Sequence, residues 1–451
     1  MTERQLIVKH ALTILVGQLA VVSFGVADTV IAGRYDPSAL AVLSVSAAIY
    51  ITVYVALLGV LQALLPIFAE LHGAKKPLEI GQTFRQAMYV WFGLSVTGGL
   101  LLLSPEPLLA WTGVPDQLQS QAVQYLSVLA IALPPALFFR LFSSLSQSLG
   151  KPRWVTWIQI VALSIKIPLS VFLTFGFDVF PPMGLTGCAV ATVIVNYSMV
   201  LVALGLLKRQ DVYERCRIWA PLEAPDWPQI RHLCRLGIPN GLSVTVEVTS
   251  FTLMALFIAR LGTTAAASHQ IASNMAALLY MIPLSFSIAV SARISFWRGA
   301  EQWDQMRSAL KIGFQLILGL ACVMGLTLWL LNQLVADLYA KDAAVATMAA
   351  DLLLLIGLYH LFDALQTYCF FVLRSFKVTI APALVYSLVL WGVGLMGGYQ
   401  LSFNGLGPFD AQQSAQAFWV MSIAGLSLVS VALLGLLRLH LKRLTESSAK
   451  L

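Results

Sequence analysis

Apolar residues run through this chain in long blocks, broken at intervals by short clusters of charge, proline and glycine. Twelve blocks are long enough to be spanning helices, at 10–32, 40–68, 86–104, 118–148, 154–176, 184–207, 232–259, 265–291, 308–332, 343–373, 378–401 and 414–438. A helix needs about 20 consecutive mostly apolar residues to cross the hydrocarbon of a bilayer, and each block provides that. The least hydrophobic stretch, 208–231, lies at the midpoint and reads as a cytoplasmic linker. It separates a half at 1–207 from a half at 232–451, each holding six spans.

Composition agrees. The chain has 451 residues, of which 59% are hydrophobic and only 11% charged, whereas soluble domains carry about a quarter charged residues. Mean hydropathy is +0.81. These values exclude a soluble enzyme, a disordered protein and a nucleic-acid binder, leaving an all-α polytopic membrane protein. Five scattered cysteines, with no CxxC pair, argue against a disulfide framework and a zinc site alike.

The net charge of +7 is distributed by side. With the N-terminus inside, 23 Lys and Arg (Lys450 the last of them) fall on the inner side and three, Arg34, Arg260 and Lys341, on the outer. This positive-inside bias places both termini in the cytoplasm. The halves also resemble each other at an offset of 227, which lays Ile31-Ala32 over Ile258-Ala259 and Leu145-Ser146-Gln147-Ser148-Leu149 over Val372-Leu373-Arg374-Ser375-Phe376. Six spans per half is even, so the repeats run parallel. Two repeated bundles make a transporter plan.

Ionisable groups inside spans are costly and are functional candidates by default. Asp28 lies in span 1, Lys166 in span 5, Glu247 in span 7 and Asp363 in span 10, while Arg140 is near enough to the inner end of span 4 to snorkel. On span 7, Asn240, Ser243, Glu247 and Ser250 form one stripe at helical period. On span 10, Tyr359, Asp363, Gln366 and Thr367 share an arc, with His360 at its flank. Span 8 adds Gln270/Asn274 and His269/Ser273, each four apart. The serines read as helix–helix glue. Two carboxylates on facing helices in a low dielectric take up a proton or a metal cation such as Na⁺. In the first half, Asp28 and Lys166 make an ion pair, with Ser170 one turn beyond the lysine. No GxGxxG, P-loop, HExxH or GxSxG pattern is present. His360, Asp363 and Glu247 could be imagined as the metal site of an intramembrane enzyme.

Asp28-Thr29-Val30-Ile31-Ala32-Gly33 resembles the first-helix signature of the multidrug and toxic compound extrusion (MATE) transporters, NorM-like branch. So do Leu236-Gly237-Ile238-Pro239 with Glu247-Val248, the run Ala267-Ser268-His269-Gln270-Ile271-Ala272-Ser273-Asn274, and Asp363-Ala364-Leu365-Gln366 leading to Leu373-Arg374-Ser375. The resemblance implies two six-helix lobes in a V, exporting organic cations in exchange for Na⁺ or H⁺. It carries the cation site onto Glu247, Asp363 and Tyr359, with Asp28 as the acid of the N-terminal lobe. This sequence departs from the family on span 5, where Lys166 and Ser170 flank Ile167-Pro168-Leu169 in place of asparagines; a proton-linked Asp28–Lys166 switch suits that substitution better than Na⁺. Span 1 has no proline, and Arg374-Ser375 replaces the usual Arg-Gly.

The expected function is a multidrug efflux antiporter of the inner membrane, monomeric, with no cofactor and no nucleic-acid partner. Its partners are small cationic or aromatic drugs, the coupling Na⁺ or H⁺, and the bilayer. Na⁺ at Glu247 and Asp363 is the metal option. Asn274, Gln270, His360, Ser170, Gln366 and Lys166 are supporting residues. The rival readings are a lipid-linked precursor flippase of the same superfamily and the intramembrane enzyme.

Overall fold

The computed structural model describes residues 1–106, 116–176 and 181–448, and Lys450 lies outside them. Among these residues twelve helices are long and apolar enough to cross a membrane. They are α1 (Glu3–Tyr35), α2 (Ser38–Gly73), α3 (Pro77–Leu103), α4 (Gln119–Ser148), α5 (Pro152–Phe175) and α6 (Leu185–Arg209), then α7 (Trp227–Ala259), α8 (Thr263–Gly299), α9 (Trp303–Tyr339), α10 (Ala343–Ser375), α11 (Ile380–Asn404) and α12 (Ala415–Arg443). Their number and order are those of the hydrophobic blocks. Several run past their apolar block, because helical hydrogen bonding continues through the charged ends, as where α8 extends to Gly299 and α9 begins at Trp303.

In hydrocarbon every backbone polar group has to be satisfied within the protein, so unbroken helices are the natural solution. Their ends carry familiar signals. Pro77 and Pro152 stand in the first turn of α3 and α5, where a missing N–H costs nothing. Asp342 caps α10, its carboxylate accepting from the N–H groups of Ala344 and Val345 at 2.8 and 3.3 Å. Gly176 closes α5 at φ +74°. In α2 the helix is interrupted at Ala63, between segments ending at Gln62 and starting at Leu64. Pro66 explains the break, since it has no N–H for the Gln62 carbonyl. Large apolar side chains such as Leu201, Leu330, Leu388 and Val431 are exposed, as helices bathed in lipid require.

The chain divides into two compact units. One holds Leu12–Gly241 and Ser295–Gln302, the other Met1–Ala11, Leu242–Ile294 and Trp303–Leu451. In the first, α4 packs against α2, α3 and α6, and α5 packs on α6. The 208–231 segment belongs to this unit and is docked onto it. Arg85 on α3 donates to the Arg217 carbonyl at 2.6 Å and pairs with Glu223, and Gln86 bonds both the Ala224 carbonyl and the Asp226 N–H. Tyr213, in the short helix Asp211–Glu214, is buried and bonds Ser146 at 2.8 Å. Burial pushes its hydroxyl up to about 12. In the second unit, α10 packs against α9 and α12, and Glu3 grips Arg293 in a bidentate pair at 2.7 and 2.8 Å.

Close helix crossings among the described residues rest on glycine at several points. Gly237 and Gly241 on α7 form a GxxxG pair against α2, where a Cβ on Gly241 would lie 2.5 Å from the Ala56 carbonyl oxygen and one on Gly237 would lie 2.7 Å from that of Val60. Asn240 between them donates to the Gly59 carbonyl at 2.5 Å. Another crossing pairs Gly325 on α9 with Gly357 on α10, each facing the other's carbonyl. In α11 the helix widens into π turns at Leu390–Met396 and Gln400–Asn404, around the short α-helical run Gly397–Tyr399. Substituting Gly241→Val forces the crossing apart and is expected to cost about 1–3 kcal/mol. Thermal unfolding of the purified protein in detergent checks this, with Gly205→Ala, where a Cβ meets nothing within 4 Å, expected to melt like the parent.

Candidate functional site

In the unit that holds Leu242–Ile294 and Trp303–Leu451, helix periodicity turns Glu247 of α7 and the Tyr359/Asp363 face of α10 into one polar cluster. Asp363 and Tyr359 are 3% and 5% exposed, and Glu247 is half-buried. The two carboxylates are near enough to act on each other electrostatically. Among the described residues neither has a basic side chain within 4 Å. Their polar neighbours are neutral. Tyr386 of α11 lies near Glu247, Gln366 lies near Asp363, and Tyr280 of α8 is near enough to sense both carboxylates. Phenol and amide groups can orient around a carboxylate without neutralising it. The arrangement is therefore an acidic, oxygen-rich site among low-dielectric helices, and its donor chemistry is that of a proton or hard-cation site.

Beside it lies an aromatic wall. Tyr359 meets Trp419 of α12 edge-on at 5.4 Å, Phe251 of α7 meets both at 6.1–6.3 Å, and His269 packs on Trp419 at 5.7 Å. The Trp419 Nε1 is buried without a hydrogen-bond partner.

Other candidates go elsewhere. His360 turns away from the acids toward an apolar crevice between α8 and α9 lined by Pro283, Phe286 and Met324. Its position on the arc's edge explains this, since a side chain there points to the neighbouring helix. Gln270 and Asn274 are exposed and bond each other at 3.1 Å, and His269 bonds Ser273 at 3.2 Å. Asn240 holds the α2 crossing and belongs to the other unit. No group of three His, Cys, Asp or Glu that could hold a metal ion is present among the described residues.

In the unit that holds Leu12–Gly241, the structure brings Asp28, Lys166 and Ser170 together. The Lys166 ammonium lies 2.8 and 3.0 Å from the two Asp28 carboxylate oxygens and is 1% exposed. It also donates to the Cys188 carbonyl at 3.0 Å and the Thr192 hydroxyl at 2.8 Å, with Ser170 Oγ at 3.2 Å. An ammonium has three N–H bonds, so these acceptors saturate it. Pro168, two residues on, cannot donate to the Ser164 carbonyl and interrupts the α5 ladder beside the pair. Arg140 keeps its Nε buried without a hydrogen-bond partner.

Sequence reasoning did not single out Thr192, Tyr280, Tyr386, Phe251 or Trp419. The signal for the tyrosines was their depth inside apolar blocks, away from the interfacial positions that tyrosine prefers. For Phe251 and Trp419 no signal separates them from other apolar positions.

The MatE family model matches residues 13–172 and 239–400. A probable multidrug resistance protein NorM of Aromatoleum aromaticum is 37% identical over 434 residues, covering 96% of this chain and 94% of that protein. The multidrug resistance protein PmpM of Pseudomonas aeruginosa is 31% identical over 94% of this chain and 88% of its own length. Among solved structures, the eukaryotic MATE transporter AtDTX14 matches with a TM-score of 0.85 at 19% identity, over 97% of this chain and 95% of that one. An outward-facing multidrug resistance MATE transporter of the MOP superfamily matches with a TM-score of 0.87 at 14% identity, over 99% and 97%. Twelve apolar helices in the fold of those transporters, with a family model covering both halves, make this chain a multi-pass membrane protein of the MatE family.

Proposed function

We propose that the chain is a multidrug efflux antiporter of the inner membrane, with both termini cytoplasmic, that expels organic cations in exchange for an inward-moving Na⁺ or H⁺. The observation that supports this most is the pair of buried Asp363 and half-buried Glu247 with no basic side chain beside it among the described residues. A site with that charge exchanges one cation for another at little electrostatic cost, whereas a lipid-linked pyrophosphate would be repelled by it. The aromatic wall of Phe251, Tyr359 and Trp419 gives a flat cation faces to stack on. Bound coupling ion favours the drug-releasing state, and drug and ion compete through that equilibrium. Tyr280, Tyr386 and Gln366 orient the carboxylates. The protein works as a monomer and needs no cofactor.

Asp28 and Lys166 play a different part. Their pair is self-neutral, so it does not attract a free cation. A proton delivered to Asp28 breaks it and frees Lys166 to move, which makes the pair a conformational latch.

Reconstituted protein loaded with ethidium tests the reading. Asp363→Asn and Glu247→Gln are expected to lower gradient-driven efflux by about tenfold or more, in keeping with coupling energies of this kind, with unchanged expression and elution. Undiminished efflux in both variants would sink the mechanism. Applying a Na⁺ gradient alone and a pH gradient alone identifies the coupling ion at these carboxylates. For the latch, Lys166→Met alone is expected to lower stability by about 3–5 kcal/mol, because Asp28 is left buried and unpaired. The double substitution Asp28→Asn/Lys166→Met is expected to restore the melting temperature without restoring efflux. Full efflux in the double variant would make the pair a static tie.

A further inference from the structure

A second cavity, of about 440 Å³, lies in the Trp303–Leu451 part of the chain away from the acid cluster, between α9 and α12 with α10 as its floor. That volume is in the range of small-molecule sites. Trp303, Arg307 and Lys311 recur at i, i+4 and i+8 on α9 and line it from one side. Leu434, Leu437, Arg438 and Leu441 follow at i, i+3, i+4 and i+7 on α12 and line it from the other. The floor is Tyr368, 2% exposed, whose hydroxyl is already spent on the Leu310 carbonyl at 2.7 Å.

The lining therefore has two zones. The leucines, Phe314 and the ring of Tyr368 make an apolar trough. Three cations, Arg307, Lys311 and Arg438, stand exposed at its rim, and no carboxylate is among the described residues that line it. All three sit at the helix ends where basic residues collect, the start of α9 and the close of α12, beside a tryptophan of the kind found at headgroup depth. An apolar trough crowned by positive charge at one membrane face is the complement of a molecule with a phosphate head and an acyl chain. The same charge repels the organic cations handled at the acid cluster.

We propose that this cavity is a binding site for an anionic phospholipid of the cytoplasmic leaflet, its phosphate held by Arg307, Lys311 and Arg438 and its first chain methylenes lying along Leu434, Leu437 and Phe314. The lipid is a resident ligand that braces α9 against α12, and it is distinct from the exported substrate.

The test is native mass spectrometry of the full-length protein in detergent, incubated with phosphatidylglycerol and phosphatidylcholine together. The parent should retain one phosphatidylglycerol in preference to phosphatidylcholine. Each cation near an anionic headgroup carries about a fivefold change in affinity, so Lys311→Gln/Arg438→Gln should weaken retention by about 30-fold. Both residues are exposed, and an unchanged elution volume checks the fold. The comparison variant Arg231→Gln/Arg235→Gln, which removes two exposed basic residues outside the cavity, should retain the lipid as the parent does. Equal retention in all three proteins, or an equal loss in both variants, overturns the proposal. Inorganic phosphate supplies the free-anion arm: a rise in melting temperature matching that given by phosphatidylglycerol would overturn the lipid assignment.

Discussion

The cost of a carboxylate inside hydrocarbon governs this molecule. An uncompensated charge there has to be paired, solvated or neutralised, and each half of the chain meets that demand in its own way. Asp28 has an internal cation: Lys166 donates to it, while Thr192, Ser170 and the Cys188 carbonyl take up the remaining N–H capacity. Glu247 and Asp363 have tyrosines and a glutamine, which orient charge without cancelling it. The first solution is closed and self-contained. The second has two acids and no base among the described residues, and the proposed antiport rests on that difference.

Much of this was legible in the sequence because membrane proteins write their constraints in long words. Twelve apolar blocks became twelve helices, and the rarity of charge within them drew attention to Asp28, Lys166, Glu247 and Asp363. Helical period placed Tyr359, Asp363 and Gln366 on one face. Helix packing was less legible. Periodicity fixes which residues share a face but leaves open which neighbour that face meets, so His360 was grouped with the acids and turned out to face α8 and α9. Asn240 fell on the same stripe as Glu247, yet it serves a helix crossing. The GxxxG pair at Gly237 and Gly241 was readable but overshadowed by its Pro239, and the polar 208–231 segment looked like a tether. Its contacts with Arg85, Gln86 and Ser146 depend on the folded ends of α3 and α4, which a linear pattern does not display.

The chain also separates its charges by task. The acids Glu247 and Asp363, with no basic side chain beside them among the described residues, face each other on α7 and α10. Cations gather at the helix ends, where Arg307, Lys311 and Arg438 rim the cavity between α9 and α12. On the proposed reading, the exported cation and the lipid are thereby kept apart, and neither site has to discriminate strongly against the other's occupant.

The π turns of α11 have a consequence for how that helix is read by experiment. Each admits an extra residue per turn relative to the α-helical frame, so the stretches before Leu390, at Gly397–Tyr399 and after Gln400 do not share one angular phase. A residue-by-residue labelling scan fitted to a single 3.6-residue wave would fall out of step twice and would assign positions beyond Gly397 to the wrong side. Any map of what α11 presents to lipid or to its neighbours has to be drawn in three separate pieces.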